Sequence, residues 1–194
     1  LVVEGGVCFS FGVNSRGQLG LGDLRDREHP QQIMSLSSTA ARVTKVACGG
    51  QHTVFLFDDF TLMSCGSNKY GQLGTGDSVE KNVPTPVVNF APTSAPGVAA
   101  TSSGNVRFCL IACGDNHSLA ATPVRAPQQF NEIFGWGRKV HCGIDSSENT
   151  LIPTSVETMN SILRSEPVDS VISISAGGSF GQAHSAFVTR TGRL

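Results

Sequence analysis

The run Phe9-Ser-Phe-Gly-Val-Asn-Ser-Arg-Gly-Gln-Leu-Gly-Leu-Gly-Asp23 returns 54 residues later as Met63-Ser-Cys-Gly-Ser-Asn-Lys-Tyr-Gly-Gln-Leu-Gly-Thr-Gly-Asp77. Gly12, Asn14, Gly17, Gln18, Leu19, Gly20, Gly22 and Asp23 coincide with Gly66, Asn68, Gly71, Gln72, Leu73, Gly74, Gly76 and Asp77. Matches at fixed offsets in a chain of 194 residues mark an internal repeat, and a period of this size points to a repeat architecture. Glycine at such density requires tight turns with positive φ. Leu19 is the one strongly apolar side chain of its turn and is expected to anchor it to the core. Asn14, Gln18 and Asp23 can hydrogen-bond backbone groups that the turn leaves unpaired.

On either side of this run the pattern changes to short strands. Val7 to Phe11, Val43 to Cys48, Thr53 to Phe57 and the stretch from Leu62 are rich in β-formers and are separated by turns at Gly49 to His52 and Asp58 to Phe60. Each cycle thus offers about four short strands, which is one blade of a β-propeller. Pro30 and Pro84 each lie seven residues after the Asp, and Ile33 and Val87 three after the Pro. Cys48-Gly-Gly-Gln-His52 returns as Cys113-Gly-Asp-Asn-His117. A third cycle opens at Ile133-Phe-Gly-Trp-Gly137, with a shortened turn at 138–145 that lacks Gln-Leu-Gly. Pro153 and Val156 keep the proline spacing.

The units are therefore read as about 7–60, 61–132 and 133–194 of one partial propeller. The fold class is all-β, with three consecutive four-stranded antiparallel blades. Residues 89–105, rich in Pro, Ala, Ser, Thr and Gly, are an insertion absent from the first cycle and read as an exposed loop.

Composition narrows the function classes. Net charge is −1, so no global field draws the chain to nucleic acid or to an anionic membrane. No run of 18 apolar residues is present to span a bilayer. Several of the six cysteines sit at repeat positions where another unit carries a small residue. They read as reduced thiols of an intracellular compartment rather than a disulfide framework.

Gly-Gln-Leu-Gly-x-Gly-Asp, then Pro-x-x-Val/Ile, then Cys-Gly-x-x-His-Ser/Thr, resembles the regulator of chromosome condensation repeat. The resemblance covers essentially the whole chain and is sharpest in the first two cycles. It implies a seven-bladed propeller with four antiparallel strands per blade, of which this chain carries about three repeats. The family's founding member is a chromatin-bound nucleotide exchange factor for the small GTPase Ran. Relatives act in ubiquitin ligases, cilia and mitochondria, and one is a plant ultraviolet-light receptor. The light-receptor role needs clustered tryptophans, and Trp136 is the single one here. Such breadth means that fold alone does not settle function. The resemblance implies protein partners, a Ran-type GTPase among them, or a place as a structural subunit of a large assembly.

Two apparent chemical motifs carry no chemistry. In Cys109-x3-Cys113-x3-His117 the two cysteines on one strand would lie about 13 Å apart at ~3.3 Å per residue, too far to share one zinc. No metal or cofactor site is expected, and His52 and His117 read as ties between strands or blades. Gly177-Gly-Ser179-Phe-Gly181 fits a nucleophile elbow, but a strand rather than a helix follows it, and no acid comes after His184. It reads as an inserted turn, and the chain as a non-catalytic interaction module. Charges instead gather in the loops after the glycine-dense turns: Arg25, Asp26, Arg27 and Glu28, then Glu80 and Lys81, then Asp145 and Glu148. These are the partner-binding candidates of the sequence.

Overall fold

The computed structural model describes residues 6–88, 106–124, 131–165, 170–179 and 182–190. The insertion at 89–105 lies outside them. The elements run β1 (Phe9–Gly12), β2 (Arg27–Gln32), α1 (Met34–Ser37), β3 (Val43–Cys48), β4 (His52–Phe57), β5 (Leu62–Gly66) and β6 (Lys81–Pro86). They continue as β7 (Leu110–Cys113), β8 (His117–Ala121), β9 (Ile133–Gly137), β10 (Thr150–Ser155), α2 (Glu157–Ser165), β11 (Val171–Ser179) and β12 (Gln182–Thr189). Two complete four-stranded sheets, β3-β4-β5-β6 and β7-β8-β9-β10, are flanked by the pairs β1-β2 and β11-β12. All these pairings are antiparallel. The architecture is a stack of propeller blades.

The strands of the described residues amount to three blades, divided two, four, four, two. The sheet boundary falls inside each sequence unit. A tight hairpin turn joins β4 to β5 and keeps them in one sheet, with His52 opposite Gly66 and Leu56 opposite Leu62. The segment after β2 instead crosses to the neighbouring sheet, where β3 begins. The pair β1-β2 has the register of β5-β6. Phe9 faces Gln32 and Gly12 faces Arg27, as Met63 faces Pro86 and Gly66 faces Lys81. Each repeat of the sequence therefore stitches two blades together covalently.

Packing follows from that stack. All six residues of β4, His-Thr-Val-Phe-Leu-Phe, are buried, because successive side chains point to opposite faces and both faces are covered. Phe55 and Phe57 join Cys8, Ile33, Leu36, Val43 and Cys65 on one side. Val54 and Leu56 join Val87, Phe108, Phe134 and Trp136 on the other. A third cluster, Ala121, Ile133, Val156, Leu163 and Val171, fills the space before β11 and β12, with Ile174 and Phe187 against it. Each buried Phe contributes roughly 1.5–3 kcal/mol by leaving water.

Two helices join the strands as well. The segment 34–37 forms the single turn α1, whose Leu36 is buried. Helix α2 lies on Val156, Met159, Asn160 and Leu163, the spacing of an amphipathic helix. Asn160 is fully buried. Its Oδ1 accepts from the Ile133 amide at 2.8 Å, and its Nδ2 donates to Ile133 O at 3.1 Å and Ser155 Oγ at 2.8 Å. The helix thus supplies β9, an inner strand of that sheet, and Ser155 at the end of β10 with hydrogen bonds as well as apolar cover.

Candidate functional site: the loop face

The repeated turn is built around its asparagine. Asn14 Oδ1 accepts from the Leu19 amide at 2.9 Å and its Nδ2 donates to Asp23 O at 2.9 Å. Asn68 does the same with Leu73 at 3.0 Å and Asp77 O at 2.9 Å. Both asparagines are fully buried. Leu19 and Leu73 are buried beside them. Gln18 and Gln72 accept from the amides of Arg16 and Tyr70, each at 2.9 Å. The glycines are conformational: Gly20 and Gly74 have φ of +71° and +70°. A Cβ at Gly74 would stand 2.8 Å from Trp136 Nε1, so this turn also presses on the next blade.

The two recurring histidines reach side chains of the neighbouring blade. Both are buried. His52 Nε2 lies 2.9 Å from Ser118 Oγ, and His117 Nε2 lies 2.9 Å from Ser185 Oγ, each serine on the neighbouring blade. Ser118 donates its own proton to Gln72 O at 2.8 Å, so His52 must donate from Nε2. Thr53, the residue after His52, makes the matching bond to Gln18 O at 2.8 Å. Burial, with the His117 ring nearby, pulls the His52 pKa down to about 3. Burial and His141 pull His117 down to about 4. The rings are neutral at physiological pH.

The charged candidates divide into two groups. Arg27 pairs with Asp23 at 2.6 Å and Lys81 with Asp77 at 2.9 Å, equivalent bridges in successive repeats. Each cation holds its carboxylate below the ordinary range. Asp26 Oδ1 accepts from the Asn14 amide at 2.7 Å. These side chains close the turns. Arg25, Glu28, Asp145 and Glu148 are exposed. Glu80 bridges Arg16 at 3.0 Å, across blades.

Glu80 also belongs to a polar groove of about 820 Å³ on the face where the turns emerge. The groove is bounded by the β3–β4 turn at Gly50 and Gln51, by Asp115 and Asn116 of the β7–β8 turn, and by Lys69, Tyr70 and Arg138. Lys69 Nζ and Arg138 Cζ each lie 5.4 Å from the centre of the Tyr70 ring. Sequence reading missed Arg16, Lys69, Tyr70, Asp115 and Arg138. None of them recurs from unit to unit, and only the stacking of blades brings Arg138 to Tyr70.

The two apparent motifs have structural roles. All six cysteines are free. Cys65 and Cys113 are thiols raised by burial, Cys113 to about 12. His117 is committed to Ser185, and no group of three or more His, Cys, Asp or Glu among the described residues could hold a metal ion. Of the stretch 177–181 expected as an inserted turn, residues 180 and 181 lie outside the described residues. β11 and β12 stay paired from Gly177 opposite His184 to Ser179 opposite Gln182. Gly177 to Ser179 close β11.

Comparison with known proteins agrees with this architecture. The family described as "Regulator of chromosome condensation (RCC1) repeat" matches residues 5–56 and 61–121, and a second family of that description matches 43–72. The ultraviolet-B receptor UVR8 of Arabidopsis thaliana is 31% identical over 185 residues, 95% of this chain and 35% of that protein. A secretion-regulating guanine nucleotide exchange factor of Bos taurus is 28% identical over 198 residues, all of this chain and 37% of that protein. The chain therefore spans little more than a third of these relatives. Among solved structures, Prp20p of Saccharomyces cerevisiae superposes with a TM-score of 0.65 at 20% identity, over 96% of this chain and 40% of that one. No helix of the described residues is long and apolar enough to cross a membrane. With matches over more than half its length, the chain belongs to the regulator of chromosome condensation (RCC1) repeat family.

Proposed function

We propose that this propeller segment works by binding other proteins through its loop face and carries out no covalent chemistry of its own. The observation that carries the reading is the division of labour among polar side chains. Those inside, His52, His117, Ser118 and Asn160, are consumed in holding blades and helix together. Those of successive turns converge outside on one open groove of about 820 Å³. Loops held by a rigid scaffold are where binding resides. Solved relatives have protein partners: the Prp20p structure was described with its binding to Gsp1p and histones. The six free thiols fit a reducing, intracellular compartment.

A second reading, guanine nucleotide exchange on a Ran-type GTPase, is favoured by the exchange factor among the relatives. Exchange needs no covalent catalyst, only a surface that binds the nucleotide-free GTPase best. Affinity capture with the full-length protein, with and without a magnesium chelator, separates the two. GTPase enrichment under chelator supports exchange; partners held equally in both conditions support the binding module. Capture of no protein, with the groove intact, would remove the proposal.

A further inference from the structure

We infer that the loop-face groove is a binding site for an acidic peptide segment of a partner protein, with Lys69 and Arg138, both beside Tyr70, as the carboxylate-reading end. This deepens the protein-binding reading above and rests on it. Several of the groove's charges are already engaged. Its carboxylates are Glu80 and Asp115. Glu80 is paired with Arg16 at 3.0 Å, and Asp115 accepts from Asn116 Nδ2 at 2.7 Å. That pairing also occupies Arg16. Among the described residues, Lys69 and Arg138 are the groove's remaining cations, and neither has a carboxylate within salt-bridge distance.

Both approach the same aromatic ring, each 5.4 Å from its centre. Cation–π contact orders a cationic side chain without neutralising it. The pair is therefore positioned and still electrostatically unfilled. Arg138 is fixed at its root as well, since its amide donates to Asn116 O at 2.9 Å. A carboxylate brought to either cation would complete charge-assisted hydrogen bonds of the strong kind. The exposed part of Tyr70 offers ring surface for the adjoining peptide, and Gln51, Ser67, Ser78 and Asn116 offer amides and hydroxyls for its backbone.

A nucleic acid fits less well. A phosphate backbone needs cations in series, whereas Glu80 and Asp115 line this groove and the whole chain carries −1.

The test uses the full-length protein and three fluorescein-labelled probes: a Glu/Gly decapeptide, the same peptide with Gln for Glu, and a 20-base-pair DNA duplex. Fluorescence anisotropy is expected to show binding of the Glu peptide, about tenfold weaker binding of the Gln peptide, and no tighter binding of DNA. Lys69→Gln with Arg138→Gln should weaken the Glu peptide on the order of tenfold and leave the Gln peptide unchanged. The melting temperature, expected to stay as in the parent, reports that the double variant is folded. A separate Arg16→Gln variant should have the smaller effect, because Arg16 is already paired.

Equal binding of Glu and Gln peptides, tighter binding of DNA, or an unaffected double variant would overturn the inference. If the double variant loses captured protein partners while Glu and Gln peptides bind alike, protein binding by the groove stands and its acidic specificity falls.

Discussion

Acidification should unlock the blades, and the buried histidines set the pH window. The unfolded chain binds a proton on each His near pH 6.5. In the fold, His52 binds one only near pH 3 and His117 near pH 4. Below pH 6.5 the unfolded state therefore holds more protons than the native one, and stability falls as pH falls. At pH 5, 1.5 units under the unfolded value, His52 alone removes about 2 kcal/mol, with His117 adding a share of similar sign. The acids act elsewhere or oppose: Asp23 and Asp77 are lowered and matter below the ordinary carboxylate range. Glu132 is raised by burial, so its protonation slightly favours the fold as pH drops.

Guanidinium unfolding followed by the fluorescence of Trp136, the single tryptophan and fully buried, should give constant stability from pH 8 to 7. A loss of about 2–4 kcal/mol is expected by pH 5. His52→Gln keeps an N–H for Ser118 but cannot titrate, and should flatten the slope by roughly half. A stability unchanged between pH 8 and 5, or an unaltered slope in His52→Gln, would refute the reasoning.

The remaining predictions concern the repeated turn. Gly74→Val, at φ +70° with its Cβ 2.8 Å from Trp136 Nε1 and 3.0 Å from Val87 Cγ1, should cost about 3 kcal/mol or more by strain and overpacking. Gly12→Ala, at φ +108° with no atom within 4 Å of its Cβ, should cost about 1–2 kcal/mol from strain alone. Thermal denaturation of the two variants compares them directly. Asn68→Ala strips the buried Leu73 amide of its acceptor and should cost about 2 kcal/mol, with faster hydrogen exchange at that amide. Lys81→Ala removes the partly exposed bridge to Asp77 and should cost under about 1 kcal/mol, less again in high salt.

The groove shows where sequence reading stops. Repetition identified Asn14 and Asn68, Gln18 and Gln72, and His52 and His117, because each performs the same local task at the same offset. The same logic could have found the histidines' partners, since Thr53, Ser118 and Ser185 all follow the recurring His. Helix α2 was also legible: Val156, Met159, Asn160 and Leu163 carry the period of a helix. The charge run at Arg25–Glu28 illustrates the opposite case. Its density suggested a binding surface, yet Arg27 and Asp26 are engaged in closing their own turn.

What the sequence by itself determined is the set of turns and strands, because a tight turn constrains residue type through φ, sterics and hydrogen bonds among near neighbours. Only the tertiary structure decided where sheets begin and end and which cations meet on Tyr70. Those depend on blades stacking at a fixed distance and angle. Stacking is governed by apolar surface buried on both faces of each sheet, a term that has no direction along the chain. Residues such as Lys69 and Arg138 share no spacing that a reader of the sequence could follow. They become neighbours because Val54, Leu56, Phe134 and Trp136 have already closed the gap beneath them.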